Sequence, residues 1–416
     1  MKTKEMKGIT LVALVVTIVV LLILAGVSIN LVLGNNGIIA KAKDAETKSA
    51  EASENDLKGM NSLIEQMEST LNGSGNGGKT EPETVPYLPS DDFHYDTSTS
   101  IDTGLVIKDG SGNEYVWVVV PRTTAVYATT GLGKTTFTDA DYTSIEKDLK
   151  EYTKTYRGST SYSDTYTADD KNVGWFADAT AYNNLKNSML KSVYENGGFY
   201  VGRYEAGIDT TTGTNRTSNT DKNSDGKYTM PSTVPVTKAD AYPYTYVTRT
   251  QAQNLASKVN AGTKTSSLMF GVQWDLVLAF MSKDTAKITS TDVLTKNSVT
   301  IGNYKDNLWT IKNAKAQYSS DYGDTFTACP NPFEKESSSY ILLTTGADSR
   351  FSVQNIYDIA GNVYEWTLES PYGASNSCAL RGGEYYHAGS FSPAAHRSGS
   401  DSDLSNSDIG FRVSLF

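Results

Sequence analysis

The hydrophobic residues of this chain are concentrated near its N-terminus, in one long uncharged stretch. Residues Ile9 to Leu33 contain no Asp, Glu, Lys or Arg, and the stretch exceeds the ~20 apolar residues that cross a bilayer as a helix. Lys2, Lys4 and Lys7 precede it, so these lysines should stay in the cytoplasm and the rest of the chain should lie outside. A cleavable secretory signal is the competing interpretation, but its apolar region normally has only about 7–15 residues. The pattern therefore predicts a single-pass membrane helix.

After this stretch the pattern becomes polar and predicts a stalk followed by a linker. Gly34 to Gly37 interrupts the apolar helix, and residues 38–71 place a thin stripe of apolar positions among many charges. Residues 72–90 join a Gly/Ser/Asn-rich stretch to three prolines, as expected of a flexible tether that then stiffens. We therefore expect four parts: a short lysine-bearing segment at 1–8, a transmembrane and stalk helix at 9–71, a linker at 72–90 and a separate domain at 91–416.

From residue 91 onward, short apolar runs alternate with turns rich in Ser, Thr, Gly and Asn. Runs such as Tyr115–Pro121 and Gly198–Glu205 are typical of short strands. Apolar residues recur at helical spacing in Thr248–Val259 and in Leu268–Met281. This pattern favours an irregular α+β domain with two helices, few strands and long loops.

Composition limits the chemistry that the chain can perform. The formal net charge is −10, whereas nucleic-acid binding needs a basic surface, so we expect no nucleic-acid partner. The chain has 26 tyrosines, which suit recognition surfaces because Tyr offers rigid amphipathic area. Its three histidines limit histidine-based metal and acid–base chemistry. The two cysteines, Cys329 and Cys378, are compatible with one disulfide or with buried thiols.

The N-terminal residues resemble a type IV prepilin or pseudopilin leader. Lys7–Val12 precedes the long apolar helix, and in that family a prepilin peptidase cuts after the glycine and the new N-terminus is methylated. The resemblance implies processing between Gly8 and Ile9, insertion into the membrane through residues 9–33, and other pilins as partners. An ordinary single-pass anchor is the alternative.

Two positions depart from the pilin pattern. Ile9 stands where phenylalanine is usual, and Ala13 stands at the fifth mature position, where glutamate is usual. That glutamate pairs with a neighbouring subunit's terminal amine, and an unpaired buried charge is costly. A subunit that lacks it would initiate a filament, lie at its tip or fail to assemble.

Segments of the C-terminal third resemble the formylglycine-generating-enzyme (sulfatase-modifying-factor) family. The motif segments are Asn355–Thr367, Leu380–Gly383 and Asp408–Val413. Upstream segments follow the family's order, and these are the region around Trp117, Gly198–Glu205, Val247–Leu255 and Gln273–Trp274. The resemblance covers most of residues 100–416, with insertions such as Thr124–Asp170. It implies a C-type-lectin-like fold, in which a small sheet and two helices support a face of long loops. Trp366 and Phe411 are expected in the core.

The family's catalysts need groups that this chain lacks at the matching positions. They carry a pair of cysteines after the Arg-Gly-Gly segment, which bind copper and form a thiolate. Aligned from Arg381, those positions hold His387 and Ser392, and neither can replace a thiolate. A related branch binds nonheme iron through an H-x-x-x-H-x-E segment, which is absent from the sequence. We therefore expect no catalytic residue and neither copper nor iron.

The oxygen-rich motif is also a candidate calcium site. Glu365, with the carbonyl groups near Asn362 and Val363, would suit a calcium ion, which the family often binds there. The alternative is a buried Glu365 paired with Arg381 or Arg412. The residues leave both interpretations open.

The segments after Arg381 form the candidate recognition surface. They are rich in Tyr, His, Ser and Asp, which supply stacking, hydroxyl groups and charge. The candidate ligand-binding residues are Tyr385, Tyr386, His387, Ser390, Ser392, His396, Ser398, Asp401 and Asp403. The family includes ligand-binding proteins that diversity-generating retroelements vary in this place, and this chain resembles them. A merely solvated loop is the alternative.

These features favour a surface protein of the adhesin type. We expect a single-pass membrane protein, with its C-terminal domain outside on the cell surface or a pilus, that binds an extracellular protein or glycan. Two alternatives stay open, a surface enzyme with unrecognised oxidative chemistry and a structural minor pilin.

Overall fold

The computed structural model describes residues 86–158, 162–168, 175–218, 228–371 and 378–416. The predicted leader, the apolar segment 9–33, the stalk and the first part of the linker lie outside these residues. Within the described ranges, every helix is too short or too polar to cross a membrane.

The described part of the chain contains six α-helices and one 3₁₀ turn at Ser349–Phe351. The helices are α1 (Asp139–Tyr152), α2 (Lys154–Arg157), α3 (Ala179–Asn196), α4 (Arg249–Ala256), α5 (Gly271–Met281) and α6 (Asp292–Thr295). Mixed helix and sheet content was predicted and is confirmed.

The described residues also contain 21 short strands, which lie before, between and after the helices in the sequence. They are β1 (His94–Tyr95), β2 (Val106–Lys108), β3 (Glu114–Val119), β4 (Tyr162–Ser163), β5 (Gly198–Gly202), β6 (Gly207–Ile208), β7 (Tyr242–Pro243), β8 (Ser266–Leu268), β9 (Trp309–Ile311), β10 (Gln317–Ser319), β11 (Thr327–Ala328), β12 (Phe333–Lys335), β13 (Leu342–Leu343), β14 (Ser352–Val353), β15 (Ile356–Tyr357), β16 (Tyr364–Trp366), β17 (Ser370–Pro371), β18 (Cys378–Arg381), β19 (Arg397–Ser400), β20 (Ile409–Phe411) and β21 (Val413–Leu415). The expectation of few strands was wrong, because segments of two or three residues are too short to show alternation in the sequence.

The largest sheet has six antiparallel strands in the order β1-β2-β3-β5-β21-β8. Its central strands are apolar and buried, and Trp117 on β3 lies opposite Tyr200 on β5. The C-terminal strand β21 pairs with β5 on one side and with β8 on the other. The end of the chain is therefore an interior strand of the sheet.

A second sheet, in the order β19-β18-β16-β20, carries the family-like motifs. Glu365 on β16 lies opposite Arg381 on antiparallel β18 and beside Gly410 on parallel β20. Trp366 and Phe411 are buried, as predicted, and Trp366 Nε1 donates to the carbonyl of Val247 at 2.9 Å. This sheet positions the loop that joins β18 to β19.

The helix prediction was partly right. Helix α4 lies within the predicted Thr248–Val259 stretch, and its N-terminus is closed by a capping box between Thr248 and Gln251. Helix α5 begins at Gly271 and not at the predicted Leu268, which is the last residue of β8. Helices α1 and α3 were missed although they are the longest among the described residues. Their apolar residues are few and are interspersed with Lys, Asn, Ser and Thr, so the helical period is weak.

The domain begins earlier than residue 91. The Tyr87 ring packs against Trp117 and Tyr200, with ring centroids 5.4 Å away in both cases. Its hydroxyl donates to the carbonyl of Leu415 at 3.3 Å, and the Pro89 carbonyl accepts from the Thr263 N–H at 2.9 Å. The last residues of the predicted linker are therefore part of the folded domain.

Both cysteines are free and buried, so the thiol alternative describes them and the disulfide does not. Cys378 lies on β18, and its Sγ contacts the carbonyl of Ser400 at 2.9 Å. Cys329 packs in a hydrophobic cluster with Trp309, and burial raises the pKa of its thiol to about 11. Buried thiols of this kind are poor nucleophiles.

Candidate functional site

The loop between β18 and β19 folds back on itself from its first residues. Gly382 and Gly383 have φ of 90° and 78°, which glycine adopts without strain. A Cβ on Gly383 would come within 2.1 Å of the Ser392 carbonyl oxygen, so only glycine fits. The buried Tyr304 hydroxyl donates to this carbonyl at 2.9 Å, which fixes the return of the loop.

The predicted ligand-binding residues divide into exposed, half-buried and buried groups. Tyr386, Ser390 and Asp401 are exposed. The half-buried residues are His387, His396, Ser398 and Asp403. Ser398 belongs to β19, and the two aspartates lie in the turn that follows this strand.

Two of the predicted ligand-binding residues are core residues instead. Tyr385 is 1 % exposed and packs with Leu342 and Val363. Ser392 is fully buried, and its hydroxyl lies 2.5 Å from the Tyr364 hydroxyl. Neither side chain is available to an external ligand, because the loop turns both inward.

Exposed rings line the outer side of the loop. Phe391 is 62 % exposed and stacks on His387, with ring centroids 4.7 Å apart. The Tyr386 ring meets His387 edge-on at 5.7 Å. On the far side Tyr386 stacks on Tyr340 at 4.2 Å and lies 6.0 Å from Tyr322. We call these five residues the aromatic row.

Three members of the aromatic row were not among the predicted ligand-binding residues. Tyr322 and Tyr340 come from separate loops more than 40 residues upstream of Tyr386, and nothing in their local sequence marks them as neighbours of the loop. Phe391 lies within the predicted loop, but it was not among the candidate ligand-binding residues, and its exposure is known only from the structure. Its stacking on His387 becomes visible only in three dimensions.

The backbone of Tyr322 is held in a left-handed conformation, with φ of 62°. Such a φ is unusual for a bulky residue and costs energy. Asn215 Nδ2 donates to the Gly323 carbonyl at 2.6 Å, and the Tyr246 hydroxyl donates to the Tyr322 carbonyl at 3.3 Å. The surrounding structure therefore imposes a strained backbone that presents a ring 51 % exposed.

A buried carboxyl group lies beneath the aromatic row. Glu384 accepts the backbone N–H of Tyr386 and contacts His387 Nδ1, while its own side chain is fully buried. Burial and the neighbouring Asp408 carboxylate raise the pKa of Glu384 to about 8. Glu384 thus fixes the positions of Tyr386 and His387.

Burial lowers the pKa of the second histidine of the loop, His396.

The candidate calcium residues make their contacts with protein groups. Arg412 Nη2 and Nε donate to Glu365 Oε1 at 2.7 and 3.0 Å. Asn362 Nδ2 and the Val363 N–H donate to the Glu205 carboxylate at 2.7 and 3.1 Å. These contacts favour the ion pair with Arg412, and burial raises the pKa of Glu365 to about 7. Among the described residues, no cluster of three or more His, Cys, Asp or Glu is arranged to hold a metal. Calcium binding here stays a prediction.

The three motif segments that resemble the family contribute strands β16, β18 and β20, which pair within one sheet. A model of the sulfatase-modifying factor enzyme 1-like domain matches residues 131–415. The chain belongs to this family.

Solved structures similar to this family member were also found. Treponema denticola variable protein 1 is 14% identical, over 52% of this chain and 84% of that one, with a TM-score of 0.26. PvdO from Pseudomonas aeruginosa is 15% identical, over 53% and 81%, with a TM-score of 0.27. CarF is 15% identical, over 61% and 95%, with a TM-score of 0.28. No curated protein matches the sequence.

Proposed function

We propose that this chain is a cell-surface recognition protein of the adhesin type, in which a non-catalytic, C-type-lectin-like domain binds an extracellular protein or glycan through the aromatic row. The observation that carries the proposal is that three exposed rings, Tyr322, Tyr386 and Phe391, lie next to one another around the half-buried His387. Clustered exposed apolar groups on a soluble domain commonly mark interaction sites. Tyr and His also offer polar atoms at the edge of an apolar face.

The arrangement of thiols supports a role in binding over oxidative catalysis. His387 and Ser392 stand where the family's catalysts carry their cysteines, and Ser392 is buried against Tyr364. Cys329 and Cys378 are buried away from the aromatic row, in the Trp309 cluster and on β18. A thiol substrate would therefore find no thiolate partner at the loop.

The proposal also includes a membrane anchor, which rests on the sequence alone. Residues 9–33 would insert into the membrane after prepilin peptidase cleaves between Gly8 and Ile9, which leaves the domain outside the cell. Mass spectrometry of the mature N-terminus tests this step. A methylated Ile9 is expected, and an intact Met1 in membrane fractions would leave an ordinary single-pass anchor.

Ligand binding is tested with the full chain in mild detergent on protein and glycan arrays. The variant Tyr386→Ser/Phe391→Ser removes two rings of the aromatic row, and Val234→Ser is its control because Val234 is also exposed, at 50 %, but is not part of the row. We expect ligands that bind the wild type and the control but not the double variant. Equal binding by all three proteins would refute the assignment of the row.

Genetic diversification of the loop is a separate part of the proposal. The Tyr, Ser, His and Asp content of residues 385–403 is what adenine-directed mutation of asparagine codons would produce. Sequencing the locus decides. A reverse transcriptase gene and a near-copy of the C-terminal coding segment are expected, and a locus with neither would remove the idea.

A further inference from the structure

Both ends of the recognition loop are fixed to the same two buried carboxylates. Arg381, the last residue of β18, donates to Asp275 at 2.9 Å and to Glu369 at 3.1 Å. Arg397, the first residue of β19, donates to Asp275 at 2.7 Å and to Glu369 at 3.0 Å. All four side chains are almost fully buried. Charge-assisted forks of this kind fix geometry more tightly than ordinary hydrogen bonds.

A third arginine reaches this cluster from outside the sheet. Arg157, the last residue of α2, donates to Asp275 Oδ2 at 2.8 Å and to the Tyr162 carbonyl at 3.3 Å. In return, Arg397 Nη1 donates to the carbonyls of Tyr156 and Arg157 at 3.2 and 3.1 Å. Helix α2 thus both donates to the cluster and accepts from it.

Residues 162–164, which follow α2 in the sequence, contact α5 and β17. Asp164 accepts the backbone N–H groups of Gly271 and Val272 at 2.6 and 3.0 Å, at the first turn of α5. Strand β4 pairs with β17, with Ser163 opposite Ser370. Asp275 also lies on α5. Arg157 and Asp164 therefore both contact α5.

A chain of contacts leads from Arg157 to the aromatic row. Asp275 binds both Arg157 and Arg381, and Arg381 Nε donates to the His396 carbonyl at 3.1 Å. The His396 ring lies 6.3 Å from Phe391. If Asp275 moved, Arg381 and the backbone of His396 would therefore have to move with it, because these groups bind one another directly.

We infer that Arg157 is a positioning residue for the recognition surface, which sets the stems of the loop and thereby the place of His396 and Phe391. This inference rests on the proposed function of the aromatic row. Arginine suits this position because two nitrogens of its planar fork donate separately to the Asp275 carboxylate and the Tyr162 carbonyl, whereas lysine has all its donors on one nitrogen. Removing one member of a buried charge cluster also leaves its partners uncompensated.

The test measures the modification of each histidine by diethylpyrocarbonate in the full chain, well below its unfolding temperature, with peptide mass spectrometry. The chain has three histidines, and exposed His94 on β1 is the internal reference. We expect Arg157→Met to raise the rate at His396 severalfold relative to His94 and to change the rate at His387. Lys154→Met, in the same helix with an exposed ion pair, is the matched control and should leave the ratios unchanged.

A second variant keeps the inference testable if Arg157→Met does not fold. Arg157→Lys keeps the charge without the fork, and an intermediate rate at His396 is expected. Normal rates at His387 and His396 in both variants, with only a lower unfolding temperature, would reduce Arg157 to a structural residue and overturn the inference. An effect of equal size in Lys154→Met would overturn it too. Because this readout needs no ligand, it can succeed or fail independently of the array experiment.

Discussion

Glu384 should make the domain less stable as pH rises through neutrality. Its carboxyl group is buried beneath the aromatic row beside Asp408, and its pKa rises from the usual 4.5 to about 8. The folded domain therefore keeps a proton on Glu384 that the unfolded chain has already lost. The stabilisation is fully present below pH 4.5 and is lost as pH rises toward about 8, the reverse of an ion-paired carboxylate.

The size of the effect follows from proton linkage. When one group is protonated in the folded state and ionised in the unfolded state, the free energy of unfolding falls by up to ~1.4 kcal/mol per pH unit. From about pH 5.5 to about pH 7.5, Glu384 should therefore account for a loss of roughly 2 kcal/mol. Asp164, Glu205 and Asp358 also have raised pKa values through burial, so the wild type should lose more than this.

Comparison with Glu384→Gln isolates the contribution of Glu384. Gln cannot ionise but has a similar shape and can still accept the Tyr386 N–H. Urea unfolding followed by circular dichroism at several pH values between about 5 and 8 gives the free energy of unfolding. The variant's pH profile should be flatter than that of the wild type, whereas Glu336→Gln, at an exposed position, should run parallel to it. Parallel profiles for all three proteins would refute the reasoning.

Further predictions concern strain, buried charge and thiols. Tyr322→Gly should raise the free energy of unfolding by roughly 1 kcal/mol, because glycine accepts a φ of 62° without strain. Tyr322→Ala should not raise it, and both variants should lose ligand binding; a stabilised Ala variant would contradict the strain argument. Arg412→Met leaves Glu365 buried and unpaired, so urea unfolding should show a loss of about 3–5 kcal/mol, and a loss under ~1 kcal/mol would show that the pair is not buried in solution. Iodoacetamide should alkylate Cys329 and Cys378 only after denaturation, with no reductant needed; a requirement for reductant would reveal a disulfide.

The sequence could predict the framework because its motifs impose local requirements. The buried Trp366 and Phe411 were expected from the motifs, and helix α4 from apolar spacing after Thr248. Helices α1 and α3 could not be found in this way, since their buried faces contribute few apolar residues to a polar chain. Their stability comes from packing and from caps such as Asp178, which accepts the Ala181 N–H at 2.8 Å.

The sequence predicted where the candidate site lies in the chain, but it did not predict which side chains form its surface. The loop after Arg381 was recognisable as a unit, but which of its side chains point outward depends on a return path that the sequence does not encode locally. Tyr385 and Ser392 were therefore predicted to contact a ligand, whereas the structure places both in the core. Tyr322 and Tyr340 were missed because proximity between distant loops is a property of the fold.

The interior position of β21 has a consequence for how the protein is made. Until Val413–Leu415 has been synthesised, β5 and β8 each lack the neighbour that satisfies their backbone groups. The largest sheet therefore cannot close before β21 joins it, and the edges of β5 and β8 that face β21 stay unpaired until then. A chain cut before Val413 would leave the facing edges of β5 and β8 open, and such edges readily pair with strands of other chains.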